Sequence, residues 1–110
     1  MLKKSQKLNS KEHLLVLKKG QRFSNTYFQI QVFDLKEEIT KCAVVIPKKI
    51  YKKAYQRNKN KRKIAQIIAN IYPQLLPGKS IIVSLKESID HATFEELSSS
   101  LTILLLSIKN

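Results

Sequence analysis

Residues 53–72 read KAYQRNKNKRKIAQIIANIY, and this stretch decides the architecture. Its second half carries Ile64, Ile67, Ile68 and Ile71 at the three-and-four spacing that lines one face of an α-helix. The stripe is absent before Ile64, although the earlier residues are equally good helix formers. A single helix is therefore expected, anchored to a core by its second half and overhanging into solvent with residues 57–62. Pro73 ends it.

The segments on either side define what the anchored half packs against. Residues 27–33 alternate, with Phe28, Ile30 and Val32 on one side and Tyr27, Gln29, Gln31 and Phe33 on the other, which predicts a half-buried strand. Residues 39–46 read as a second strand closed by Pro47, which cannot donate to a ladder. With Lys36, Glu37 and Glu38 turning the chain between them, the two strands are expected to form a hairpin. Downstream, Pro77 and Gly78 mark a turn, and residues 80–85 form a short apolar run suited to a central strand covered on both faces.

Thr93 followed by Glu96 is a capping box that opens a last helix, with Phe94, Leu97, Leu101, Leu104, Leu105 and Ile108 as its apolar stripe. Near the N-terminus, Ser10 caps a short helix over residues 11–18, with Leu14, Leu17 and Leu15 as its apolar face and Gly20 as its stop. A short strand at residues 21–23 is signalled more faintly. Residues 1–8, with Lys3, Lys4 and Lys7 and little to bury, read as a mobile basic tail. Together these elements describe a single α+β domain over residues 1–110, long enough for one core and too short for two.

Charge is distributed unevenly along this framework. The chain has 21 Lys and Arg against 8 Asp and Glu, a formal net charge of +13. Nine of those cations, Lys48, Lys49, Lys52, Lys53, Arg57, Lys59, Lys61, Arg62 and Lys63, fall within residues 48–63, a span without one acidic residue. Such concentration on an uncovered helix half predicts a docking surface for a polyanion. Arg57 and Lys61 are four residues apart, as are Asn58 and Arg62, so donors project in two adjacent rows. Arginine supplies a planar fork for phosphate oxygens, lysine a mobile charge, and asparagine a neutral donor and acceptor.

Other functional classes are argued against. The only histidines, His13 and His91, and the turn acids Asp34, Glu37 and Glu38 offer no acid and base pair for a self-contained nuclease, and no metal-binding cluster is expected on the protein. Cys42, the lone cysteine, sits among Ala43, Val44 and Val45 and reads as a small buried hydrophobe. The apolar runs at residues 14–17 and 103–106 are too short for a signal peptide core or a membrane span, which makes the cytoplasm the expected setting. The basic face lacks interleaved Trp or Phe, so a membrane is not the expected partner; no DNA partner is expected either.

The Lys48-Lys49 pair, a short spacer and Arg57-Asn58-Lys59-Asn60-Lys61-Arg62 resemble the signature of the bacterial ribonuclease P protein component. The order of elements agrees from about Leu8 through the helix after Thr93. The resemblance implies a four-stranded mixed sheet with helices in the order αβββαβα, a ribosomal-protein-like two-layer sandwich whose strand-helix-strand crossover is left-handed. It implies that the protein binds the ribonuclease P RNA and holds the single-stranded 5′ leader of precursor tRNA. Cleavage would belong to the RNA subunit with its Mg2+, and the protein alone would bind no cofactor. Lys48, Lys49, Arg57, Asn58, Lys61 and Arg62 are then contacts to RNA backbone, with Lys52, Lys53 and Lys59 adding charge.

The leader cleft implied by the resemblance lies between the first helix and the polar side of the sheet, with His13, Leu17, Tyr27, Gln29, Gln31 and Phe33 as candidates. Members of the family usually carry aromatic residues where this chain has His13, Leu17 and Gln31; Tyr27 and Phe33 are the candidate replacements. A structural protein of another ribonucleoprotein, such as the ribosome, remains the alternative, because the same sheet, helices and charge serve it equally well.

Overall fold

In the computed structural model the described residues are 7–8, 10–34, 39–75 and 78–108. The elements are α1 (Ser10–Lys19), β1 (Gln21–Ser24), β2 (Phe28–Asp34), β3 (Lys41–Val45), α2 (Ala54–Ile71), β4 (Lys79–Leu85) and α3 (Phe94–Leu106), with a 3-10 turn, Tyr72–Gln74, after α2. The turn expected at Lys36, Glu37 and Glu38 lies outside the described residues, as do Pro77 and the first six residues of the expected tail.

The strands lie in the order β1-β2-β4-β3. The hairpin expected between β2 and β3 does not form: β4 is inserted between them, antiparallel to β2 and parallel to β3. The hairpin of this sheet is β1 with β2, in which Phe23 faces Ile30. Proximity along the chain favoured the wrong neighbour; the almost continuous apolar run of β4 claims the centre because both of its faces can be covered. Six of its seven residues are buried.

Phe28, Ile30, Val32, Cys42, Val44, Ile81, Val83 and Leu85 turn one sheet face toward α2 and α3, and with Ile64, Ile67, Ile68, Ile71, Leu97, Leu101, Leu104 and Leu105 they form the main core. Cys42 is buried as expected, and burial pushes its thiol up to about 12. Thr93 caps α3, its hydroxyl oxygen accepting from the Glu96 N–H at 3.1 Å. Phe94 was expected in the apolar stripe of α3; it stands exposed at the first turn, outside the line of Leu97, Leu101 and Leu105.

The opposite face is partly covered by α1, and here the expected apolar side of that helix is wrong. Leu14 and Leu17 are 56% and 44% exposed, whereas Glu12 and Val16, one turn apart, face inward. The reason is an ion pair: Lys41 of β3 donates to Glu12 at 2.9 Å, with both side chains largely withdrawn from solvent. That pair and Val16 orient the helix, leaving Leu14 and Leu17 outside. Gly20 ends α1, where a side chain would come within 2.5 Å of the Val16 carbonyl oxygen.

Residues 7 and 8, assigned to the tail on sequence, are attached to the sheet. Lys7 bridges in parallel to Cys42, and the Leu8 N–H donates to the Cys42 carbonyl at 3.3 Å. They cover part of the outer edge of β3, whose free backbone groups offer ready partners.

Candidate nucleic-acid interface

The helix α2 runs past the edge of the sheet, so its two halves meet different surroundings. Ile64, Ile67, Ile68 and Ile71 are buried, while Asn58, Lys59, Lys61 and Arg62 are exposed. The overhang is less complete than the apolar stripe suggests. Asn60 is buried on the core side and donates to the Gln56 carbonyl at 2.9 Å. Arg57, on the same side, is half-buried. No acidic residue stands in the first turn of α2, and no side chain caps its start, so the partial positive charge of the helix end is unopposed locally.

The loop between β3 and α2 carries the remaining lysines. Lys48, Lys49, Lys52 and Lys53 are all exposed. Two groups fix the loop. One guanidinium nitrogen of Arg57, Nη1, donates to the carbonyl oxygens of Tyr51 at 3.0 Å and Lys52 at 2.7 Å. The buried Tyr51 hydroxyl donates to Asp90 at 2.8 Å and accepts from the Ile89 N–H at 3.0 Å. The loop is thus fastened to the helix that follows it and to the turn before α3.

A cavity of about 630 Å3 opens where α2, the outer edge of β3, residues 7–8 and α1 converge. Lys7, His13, Asn58, Lys61 and Arg62 supply its polar lining; Leu8, Ala43, Val45 and Ala65 contribute apolar surface. Among the described residues the ion pairs are Glu12–Lys41 and Asp34–Lys79, so none of the nine cations at residues 48–63 is in one. The cavity therefore presents uncompensated cations beside a floor of small aliphatic groups. A phosphodiester chain matches the first and an unpaired base the second.

The expected contacts are distributed unevenly around this cavity. Asn58, Lys61 and Arg62 line it, Lys59 is exposed on the same helix, and Lys48, Lys49, Lys52 and Lys53 stand on the fastened loop. Arg57 spends one nitrogen on the loop carbonyls. Of the six cleft candidates, only His13 lines the cavity. Gln29 and Phe33 occupy the sheet face that α1 partly covers, each half-buried, and Leu17 is exposed on α1. Gln31 is buried at 5% exposure, opposite Ile82, and is not an open cleft residue. Tyr27 packs beside the main core, its ring 5.9 Å from that of His91.

Two residues escaped the sequence reading. Lys7 was assigned to the tail and lines the cavity. Tyr55 was passed over, although its position three residues before Asn58 was a usable signal; it is 64% exposed, with the Lys53 ammonium 5.9 Å from its ring centroid. Among the described residues no three His, Cys, Asp or Glu side chains gather as a metal site, and no helix is long and apolar enough to cross a membrane.

A two-layer α+β sandwich whose cationic helix overhangs a cavity at the sheet edge defines a small basic protein that docks a polyanion. The family described as Ribonuclease P matches residues 2–109, and the chain belongs to that family. It is 30% identical to the ribonuclease P protein component of Pseudanabaena sp., over 99% of this chain and 96% of that protein. It is 28% identical to that of Rippkaea orientalis, over 90% and 82%. The solved ribonuclease P protein from Thermotoga maritima has the same fold, with a TM-score of 0.86 at 24% identity over 94% of this chain and 98% of that one. Membership makes the chain a protein component of an endoribonuclease complex that processes tRNA, and weighs against the ribosomal alternative.

Proposed function

We propose that the chain binds the catalytic RNA of ribonuclease P and the 5′ leader of precursor tRNA together, and thereby promotes removal of the leader to form the mature tRNA 5′ end. The observation that carries this reading is the cavity in which Asn58, Lys61 and Arg62 of the overhanging helix meet His13 of α1, with no carboxylate among the described residues paired to any of them. A single RNA strand is narrow enough to enter such a site, and its unpaired bases can use the apolar wall formed by Ala43, Val45 and Ala65. The lysines of the loop, held by Arg57 and Tyr51, extend the same field to a second, larger RNA surface.

In this reading the protein contributes binding, and the bond is cut by the RNA subunit with Mg2+ held there. The protein lowers the magnesium requirement, because its fixed cations take over part of the screening that free ions otherwise supply between two polyanions. The setting is the cytoplasm, where precursor tRNA is processed. The test is reconstitution with the matching RNA: the chain should raise cleavage of precursor tRNA several-fold or more at low magnesium. Unchanged cleavage together with tight binding to ribosomal RNA would transfer the chain to the ribosomal alternative.

A further inference from the structure

Tyr55 is a large aromatic residue with no part in the core. It is 64% exposed in the first turn of α2, where the burial that normally places a tyrosine is absent. Its neighbours are cations: Lys52 and Lys53 precede it on the fastened loop, and the Lys53 ammonium stands 5.9 Å from the ring centroid. Helical spacing settles what else shares its side. Tyr55 lies three, four and seven residues before Asn58, Lys59 and Arg62, so these four form one stripe along the outer face of α2. Asn58 and Arg62 of that stripe line the cavity.

An aromatic face at the head of a row of phosphate donors is the arrangement that holds single-stranded RNA without reading its sequence: the ring stacks one unpaired base while the cations follow the backbone. From this juxtaposition we propose that Tyr55 is a stacking platform for one unpaired base of the precursor's 5′ leader, at the point where the strand passes from the cavity onto the start of α2. The proposal rests on the reading that the cavity takes the leader. It assigns an aromatic contact to the basic helix, away from α1 and the sheet, where His13, Leu17 and the buried Gln31 provide little stacking surface.

The test uses the complex of the full chain with its catalytic RNA, and precursor tRNA carrying a fluorescent purine analogue, quenched on stacking, at successive leader positions. Tyr55→Ala should weaken binding of leader-bearing precursor about 5- to 140-fold, the range for loss of one stacked base. Quenching should be lost at one leader position, with thermal unfolding unchanged. Tyr55→Phe should restore both readouts. The salt dependence should keep its slope in Tyr55→Ala, since stacking releases no counterion, whereas Arg62→Gln should reduce its magnitude by roughly 0.7.

Equal affinity and equal quenching in the wild type and Tyr55→Ala would overturn the stacking role and leave the proposed function standing. Weakened affinity for the catalytic RNA in the absence of precursor, with leader quenching intact, would also overturn it. A wild-type complex that does not distinguish leader-bearing from leaderless tRNA would sink the leader reading itself and this inference with it.

Discussion

The Arg57 guanidinium donates to the carbonyl oxygen of Lys52 at 2.7 Å, and the same nitrogen reaches the Tyr51 carbonyl at 3.0 Å. An arginine expected to meet phosphate is thereby occupied in shaping the loop that presents four lysines. Arg57→Ala should destabilise the fold by about 1–2 kcal/mol, the scale of losing hydrogen bonds from a charged donor at a half-buried site. Arg62→Ala, with its side chain exposed at the cavity, should leave urea stability within about 0.5 kcal/mol. Equal stability losses in the two variants would show that the loop contact carries no weight.

RNA binding should follow counterion release. If about six phosphates are neutralised, the log of the binding constant should fall with the log of salt concentration at a slope of roughly −4 to −5. A filter-binding or anisotropy titration across salt measures it, and a slope near zero would contradict a grip on phosphate. Arg57→Gln should lower the magnitude by more than the single contact of Arg62→Gln, because it releases a loop with several lysines.

The Glu12–Lys41 pair holds α1 against β3 at 2.9 Å. Glu12→Ala removes the carboxylate that faces a largely buried lysine, so it should cost roughly 2–4 kcal/mol in urea unfolding. Because His13 is the next residue and forms a wall of the cavity, RNA affinity should fall along with stability. A variant that keeps full stability would mean that the pair does not hold α1.

Cys42 gives an alkaline dependence whose sign is fixed. Burial raises its thiol from 9.0 to about 12, so the folded chain keeps a proton that the unfolded chain releases. The associated stability is complete below about pH 9 and is lost as pH rises from there toward 12. Urea unfolding between pH 8 and 10.5 should show a steeper loss for the wild type than for Cys42→Ala. Parallel curves would remove the thiol from the account.

Much of this arrangement was legible because it rests on periodicity. The isoleucine spacing of α2, the almost continuous apolar run of β4 and the Thr93 cap of α3 each depend on residues close in sequence, and each appears in the structure. What failed depended on partners distant in sequence. Leu14 and Leu17 look like the buried side of α1 until Lys41, in another strand, claims Glu12 on the opposite side. Gln31 looks like a polar cleft residue until α1 covers its face. Arg57 failed for a different reason: its acceptors, the carbonyls of Tyr51 and Lys52, are near in sequence, but main-chain groups leave no trace in residue identity. The pairing of β2 with β3 failed because a strand more than thirty residues downstream occupies the place between them.

That intervening strand has a consequence for biosynthesis. While the ribosome is still making α2, β3 has no sheet to join: its neighbour β4 has not been synthesised, and the parallel pairing must wait until residues 79–85 have emerged. The polycationic segment therefore precedes, on the nascent chain, the strand that fixes β3 and α2 in the sheet. Nonspecific capture by nearby RNA is a hazard of that interval, and swift closure by the C-terminal third of the chain is what limits it.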